Sequence, residues 1–221
     1  MTARTPQGLE KAPVPVEPTD GRRARGQRSR TAILQRSVQL ASSDGLEGLS
    51  VGDLATDLGV HKSNLFALFG SKEELQLATL ATAREMLIER VVVPALAAPE
   101  GLGRLCAIGE AWCDYLLSEV FAGGCFLCAA STEMDGRPGP VRDAVAAVMH
   151  EWLGVLRLNI EAAMAAGELA ADVDPAAMAF RLHALGMAAN WQRQLLEDPA
   201  GIEYARSAWR AELDRHKPGH H

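Results

Sequence analysis

The stretch that decides the fold is "LSVGDLATDLGVHKSNLFALFGSKEEL", residues 49–75. Leu54, Ala55 and Leu58 recur at helical spacing, and so do Leu65 and Phe69, with Leu68 beside them. Two short amphipathic helices therefore meet at Gly59, a residue able to take the positive φ of a sharp turn. The first is expected over about 51–58, with Ser50 as its cap and Asp53 in its first turn. The second is expected over about 62–69, ended by Gly70. It opens on His61, Lys62, Ser63 and Asn64, a polar group that a packed core does not require.

Working outward, Ile33, Ser37, Leu40 and Ala41 share a face, with Leu34 and Val38 beside it, and predict an earlier helix over about 29–43. "SSDGLEGLS" breaks it, with Gly45 suited to a helix end. Ser71 caps a fourth helix that reaches about residue 93, where Pro94 stops it. Further helices are expected at about 101–121, 125–134, 141–166, 176–197 and 199–214, with Asp174 and Pro175 opening the eighth. No strand pattern and no repeat is present, so the fold class is all-α, with about nine helices. Few aromatics (5%) and abundant Ala and Leu favour helix packed on helix over a β-sandwich.

Residues 1–20 carry four prolines and no periodicity; with the following "GRRARGQRSR" they read as a disordered basic arm over 1–27. The arginines of that run, Arg28 and Arg30 included, are either a solvated tether or a strand-tracking cation set. A disordered tail is expected over 216–221, closing on a tag-like "GHH". The compact regions are then 28–72 and 73–215. No apolar run approaches a membrane span, and no apolar signal core opens the chain, so a cytoplasmic protein is expected.

The formal charge of −6 hides an asymmetry. Residues 1–72 hold ten Lys and Arg against seven Asp and Glu, a balance of +3, whereas the remainder carries −9. The basic part is the one that bears the tight helix pair. A helix, a Gly-containing turn and a second helix form a helix-turn-helix, whose second helix enters the DNA major groove. His61, Lys62, Ser63 and Asn64 would then reach bases or phosphates. Any αα-hairpin shares the apolar spacing, so the bland readings stand beside this one: His61 as a surface histidine, Asn64 serving the helix backbone, and Phe66 as packing.

"GLEGLSVGDLATDLGVHKSNLFALFGSKEEL" resembles the N-terminal signature of the tetracycline-repressor (TetR) family of bacterial transcription regulators, whose usual run is close to G-V-S-K-G-T-L-Y-Y-H-F-x-S-K-E-E-L. The resemblance covers about residues 28–75, and the order of the later helices suits the family over nearly the whole chain. "GCFLCAASTEMDGRPGPVR" is similar to a segment of one of its branches. The resemblance implies DNA contacts from Lys62, Ser63 and Asn64, a phosphate contact from Lys72, and phosphate held at Ser50. His61, Phe66 and Leu68 depart from the pattern, where the family usually has Ser, Tyr and His. The last two departures imply fewer phosphate contacts, for which the N-terminal arginines could compensate.

The eighth helix carries two apolar stripes, one of Met178, Leu182, Leu185, Ala189 and Leu196, the other of Phe180, Ala184, Met187, Trp191 and Leu195. One stripe packs on the chain's own core, and a second needs another surface. A homodimer through the eighth and ninth helices is expected, with Met178, Leu182, Leu185, Ala189, Trp191 and Leu196 as candidate interface residues. The resemblance implies the same dimer on a palindromic operator. It also implies a pocket for a small apolar or amphipathic effector, with Trp112, Phe126, Met134, Met149 and Trp152 as candidate lining, each equally able to be plain core.

Four cysteines, Cys106, Cys113, Cys125 and Cys128, are expected as reduced thiols. Core filling is the plain reading of all four. The C-x-x-C of Cys125 and Cys128 leaves a thiol- or metal-responsive regulator open as an alternative. An enzyme is the remaining rival, but no P-loop, G-x-G-x-x-G, H-E-x-x-H or nucleophile elbow is present, and Glu133 and His150 lack a partner set. No cofactor or metal is implied. The expected function is a ligand-responsive DNA-binding regulator, most simply a repressor.

Overall fold

Nine helices and no strand make up residues 20–118 and 120–219, the part of the chain that the computed structural model describes. Helix α1 is Asp20–Gly48, α2 Val51–Asp57 and α3 Lys62–Phe69. Helix α4 runs Lys72–Leu87, widens into a π turn at Ile88–Val92 and ends in a last α turn at Val93–Ala95. Then follow α5 (Leu102–Leu117), α6 (Phe126–Met134), α7 (Pro140–Ala165), α8 (Pro175–Leu195) and α9 (Ala200–Arg215).

Most ends fall within a residue or two of the expected ones, because Ser50, Ser71 and Asp174 each accept backbone N–H groups as caps. Three differences matter. Helix α1 begins at Asp20, not near residue 29, so residues 20–27 of the expected disordered arm are helical. Arg, Ala and Gln are good helix formers, and neither Gly21 nor Gly26 suffices to break the run. Residues 1–19 lie outside the described part. Pro94 does not end α4; a proline has no N–H to give and its ring crowds the carbonyl four residues back, and the π turn that absorbs this sits just before it, with Val93 N–H bonded to the Ile88 carbonyl. Helix α5 stops at Leu117, before the tight turn at Gly123 and Gly124.

The tail departs from expectation too. The His216 carbonyl accepts the Ala170 N–H at 2.8 Å, and Lys217 pairs with Asp214 at 2.6 Å, so the chain is anchored past the end of α9. His220 and His221 lie outside the described residues.

Helices α1–α3 form a small head on the N-terminal end of α4, which packs on α1 at one end and on α7 further along. Val38, Leu46, Leu54, Leu65 and Leu75 are fully sequestered between these elements. Behind them α5, α7, α8 and α9 enclose a second core, centred on Trp112, which meets Trp152 and Trp209 edge-on and stacks on His183. The small residues are what let these rings in. A Cβ on Gly186 would lie 2.0 Å from the Trp112 ring, and one on Gly109 would lie 2.6 Å from the Trp209 indole nitrogen. Arg206 of α9 ties α5 in place through Glu110 and, at 2.9 Å, Asp114.

Head and body join where α6 and the turn before it lie against α1. Gln39 donates to the Val120 carbonyl at 2.7 Å, and Gly123 N–H donates to Ser42 Oγ at 3.3 Å. At Gly45 (φ 81°) α1 breaks, and the Glu133 carboxylate accepts the N–H groups of Leu46 and Glu47 at 2.7 and 2.9 Å. A Cβ on Gly123 would stand 1.7 Å from the Ser42 carbonyl oxygen, which is backbone and has no rotamer to yield. Gly123→Ala is therefore expected to cost about 2–3 kcal/mol, a fall of several degrees in the thermal unfolding midpoint, whereas Gly136→Ala, with open space around it, should change it little.

Candidate nucleic-acid interface

The head presents one face built on Leu65 and Phe69. Both are buried against α1, α2 and α4, and this fixes the rotation of α3 about its axis. Geometry then decides the rest: His61, Lys62, Ser63, Asn64 and Phe66 are all exposed, on the side away from the core. The turn from α2 is made by Gly59 at φ 62°, with the Val60 N–H bonded to the Ala55 carbonyl at 3.0 Å. Leu68, placed on the buried side by its spacing, is instead 43% exposed, because a two-turn helix lying on one groove buries only its i and i+4 positions.

His61 occupies the N-cap position of α3 but gives it no side-chain bond; its Nδ1 meets Ser63 Oγ at 2.8 Å. The Asn64 N–H bonds to the His61 carbonyl at 2.9 Å, so the first turn of α3 closes on backbone alone. Lys62 Nζ sits 5.6 Å from the centre of the Phe66 ring, so Phe66 holds the ammonium over α3. The same ammonium lies near Gly52 and Ser50 at the start of α2, where a Cβ on Gly52 would be 3.6 Å from it.

Other candidate residues are engaged within the protein. Ser50 Oγ accepts the Asp53 N–H at 3.0 Å and donates to the Asp53 carboxylate at 2.6 Å. Lys72 Nζ donates to the Glu47 carbonyl at 2.6 Å and to its carboxylate at 2.9 Å, clamping α4 to the end of α1. Arg30 lies over the Phe69 ring at 4.8 Å, while Arg28 is exposed on α1. The structure thus brings His61, Lys62, Ser63, Asn64 and Phe66 together on one surface, with Ser50 at its edge. Lys72 and Arg30 act first as struts.

Sequence reasoning missed the strut that sets the angle between α1 and α2. Arg36 grips Asp57 through two bonds of 2.6 Å. Both charges are visible in the sequence, but twenty-one positions apart nothing marks them as partners.

Of the expected pocket residues, Trp152 lines an apolar pocket of about 240 Å3 between α4 and α7, together with Leu87, the π-turn residues Ile88 and Val92, Leu127, Val148 and Val155. Arg84 and Glu151 also line it and form a two-bond ion pair. Trp112 and Met149 join Trp152 around a smaller adjoining cavity. Phe126 and Met134 line neither; both are buried in the core. The interface residues divide as well. Met178, Leu182 and Ala189 face the chain's own core and Leu185 is half-buried, whereas Trp191 and Leu196 are more than half exposed. The outward stripe is the other one: Phe180 (69% exposed), Trp191 and Leu195, with Tyr204 of α9 beside it. Periodicity reveals two stripes but cannot say which one a protomer keeps for itself. Glu133 and His150 are not a pair. Glu133 binds backbone on α1, and His150 lies on the exposed side of α7.

The chain belongs to the TetR family: "Bacterial regulatory proteins, tetR family" matches residues 33–79 and "Tetracyclin repressor-like, C-terminal domain" matches residues 101–209, together well over half of its length. It is thus a transcription regulator with a helix-turn-helix DNA-binding domain. No curated protein sequence matches it significantly. Among solved structures, a TetR regulator from Chloroflexus aurantiacus superimposes with a TM-score of 0.81 at 24% identity, covering 87% of this chain and 98% of its own. One from Cytophaga hutchinsonii gives 0.79 at 19%, covering 88% and 97%. A cysteine mutant of the TetR-family regulator CifR, solved with 26-bp double-strand operator DNA, gives 0.70 at 23%, covering 83% and 94%. At these identities the likeness is one of fold. No helix among the described residues is long and apolar enough to cross a membrane.

Two carboxylates of the head are held below their usual range: Glu47 chiefly by the Lys72 and Gln76 side chains, Asp57 chiefly by Arg36. A depressed folded-state pKa contributes stability that is full above the unfolded value, near 4, and is lost as pH falls through the folded one. The unfolding midpoint should therefore drop as pH is lowered from about 5 to about 3, and drop less steeply in the Glu47→Gln, Asp57→Asn double variant. Thermal unfolding followed by circular dichroism across that range measures it.

Proposed function

We propose that this regulator is a homodimeric repressor that sets one α3 from each protomer into the major groove of a near-palindromic operator and leaves it when a small apolar or amphipathic effector binds. The observation that carries the reading is the start of α3: four successive polar residues, 61–64, all exposed, on a helix whose underside is locked by Leu65 and Phe69. Lys62, Ser63 and Asn64 supply the groups that bind bases and phosphates, with His61 beside them. Arg28 and Ser50 flank them as phosphate contacts. Lys72 and Arg30 reach phosphate only if they leave or share their present partners. The fold shared with CifR, itself solved on operator DNA, supports this docking mode.

The outward stripe of α8 supports the dimer. Phe180, Trp191, Leu195 and Tyr204 form an apolar surface that a monomer leaves in water. Two-fold pairing through α8 and α9 would cover it and present two α3 helices one turn of DNA apart, about 34 Å or somewhat more.

The pocket between α4 and α7 supports the effector. Its wall is apolar except for Arg84 and Glu151, which suits an apolar body with a polar end. It touches α4, the helix that also packs on the head, so a ligand that reshapes the pocket acts on the head's support. Release requires tighter binding to the form that does not hold DNA; tenfold release takes about 1.4 kcal/mol.

Selection of binding sites from random duplexes with the full chain tests the reading directly. Lys62→Ala should weaken binding to the selected duplex and reduce the slope of log affinity against log salt by about one unit. An unchanged slope removes Lys62 from the phosphate contacts. In sedimentation at micromolar concentration the chain should be a dimer, and Trp191→Glu with Leu195→Glu, both at exposed positions, should leave a folded monomer. A wild-type chain that sediments only as monomer would defeat the two-fold reading.

A further inference from the structure

The C-x-x-C of residues 125–128 has no part in the function proposed above, yet it occupies the junction between body and head. Cys125 is the N-cap residue of α6 and Cys128 lies one turn in; both are buried free thiols. The Cys125 N–H donates to Asn190 Oδ1 of α8 at 2.8 Å. The Cys128 thiol, the N–H groups of Cys128 and Leu127 and the Tyr115 hydroxyl face the Cys125 sulfur; they hold its pKa below the ordinary thiol value against the burial that pushes it up. The same pairing, with burial, pushes Cys128 well above its ordinary value. The two thiols share one site, so the first proton leaves more readily than the second, as in a dithiol at a helix N-terminus that forms a disulfide. At Cys113 burial is the largest influence, and the thiol is lifted to about 11. Among the described residues no group of three or more His, Cys, Asp or Glu could hold a metal ion, so the metal alternative finds no ligand set.

Both cysteines line the small cavity beside the apolar pocket. It measures about 10 Å3 and is walled by the two cysteines with Trp112, Met149, Trp152 and His183. That is room for about one water-sized molecule. The Trp112 indole N–H, buried beside it, has no hydrogen-bond partner. Residues three apart at a helix start have Cα atoms about 5 Å apart, within the range a disulfide spans.

We propose that Cys125 and Cys128 are a dithiol that hydrogen peroxide oxidises to an intrachain disulfide, and that this oxidation loosens the grip of α6 on α1 and weakens DNA binding. The regulatory half rests on the DNA-binding reading above. The Cys125 thiolate attacks one peroxide oxygen, so an S–O bond forms, the O–O bond breaks and the departing hydroxide takes up a proton. The resulting sulfenic acid is attacked by the Cys128 sulfur; the S–S bond forms, the S–O bond breaks and a second water leaves with the Cys128 proton. Two thiols and one peroxide give one disulfide and two waters.

The coupling follows from the neighbours. The disulfide takes the Cys125 sulfur away from the two N–H groups and Tyr115 that face it, and draws Cys128 onto Cys125. The segment that must adjust is the one that binds α1, through Val120 and Gly123 before the pair and through Glu133 at the far end of the nine-residue helix.

The test uses the full chain carrying Cys106→Ser, which removes the exposed thiol. The reduced protein is treated with hydrogen peroxide and its peptides are weighed. The peptide holding residues 125 and 128 should lose the mass of two hydrogen atoms, and affinity for the selected duplex should fall about tenfold and return on reduction. Cumene hydroperoxide, far bulkier than hydrogen peroxide, should reach the buried pair far more slowly. Cys125→Ser and Cys128→Ser should each abolish the disulfide and the affinity change. The proposal is overturned if the pair stays reduced under peroxide that oxidises Cys106 in the unsubstituted chain, or if the disulfide forms and affinity does not move. A reduced chain that selects no duplex defeats the DNA-binding reading, before any oxidant is added, and the peptide masses still decide the dithiol.

Discussion

A carboxylate from the body closes a break in the first helix, and the position of the DNA-binding head depends on it. Helix α1 cannot continue through Gly45, and the N–H groups just beyond the break have no carbonyl a turn earlier to bond. Glu133 accepts two of them. Hydrogen bonds to a charged group contribute about 1.5–3 kcal/mol each when they form and leave costly orphans when they do not. Gly45 is required twice over: its φ of 81° suits glycine, and a side chain there would meet the Glu133 carboxylate. The residues that follow the break, Leu46 and Glu47, bond to Gln76 and Lys72 of α4, so one bend fixes head, body and connecting helix together.

From that anchor the head is assembled by a few long-range struts around a small core. Arg36–Asp57, Lys72–Glu47 and Arg30 over Phe69 all lie near the surface, where each contributes little to stability by itself. Their effect is angular. They hold α1, α2 and α4 so that α3 can lie in only one rotation, with its apolar pair down and its polar start up. Lys72, of a residue type expected to meet an external anion, has an internal partner in Glu47.

The body solves a different problem. Its core is wide and aromatic, and it fits because glycines stand where the rings approach: Gly109 under Trp209 and Gly186 under Trp112. Between α4 and α7 the packing leaves a pocket, and the π turn before Pro94 forms part of its wall. A helix that already departs from regular bonding is a natural place for two alternative arrangements. The outer face of α8 leaves Phe180, Trp191 and Leu195 more than half exposed.

The residues by themselves determined the all-α class, the succession of helices and the exposed polar start of α3, because caps, glycine turns and 3.6-residue periodicity are local properties. The family signature in residues 45–75 was equally legible, being carried by contiguous residues. Rotation, partners and range were not legible. Leu68 turned outward because neighbours, not spacing, decide how much of a short helix is covered. Met178 and Leu182 turned inward because two apolar stripes look alike until the protomer's own core selects one. Helix α1 extended to Asp20 although the prolines before it and its own glycines suggested a loose arm. Glu133 gave no sign of its role, since its partners are backbone N–H groups more than eighty residues away. Local backbone preference is encoded residue by residue. Which distant groups meet depends on packing the whole chain at once, and only the tertiary structure decides it.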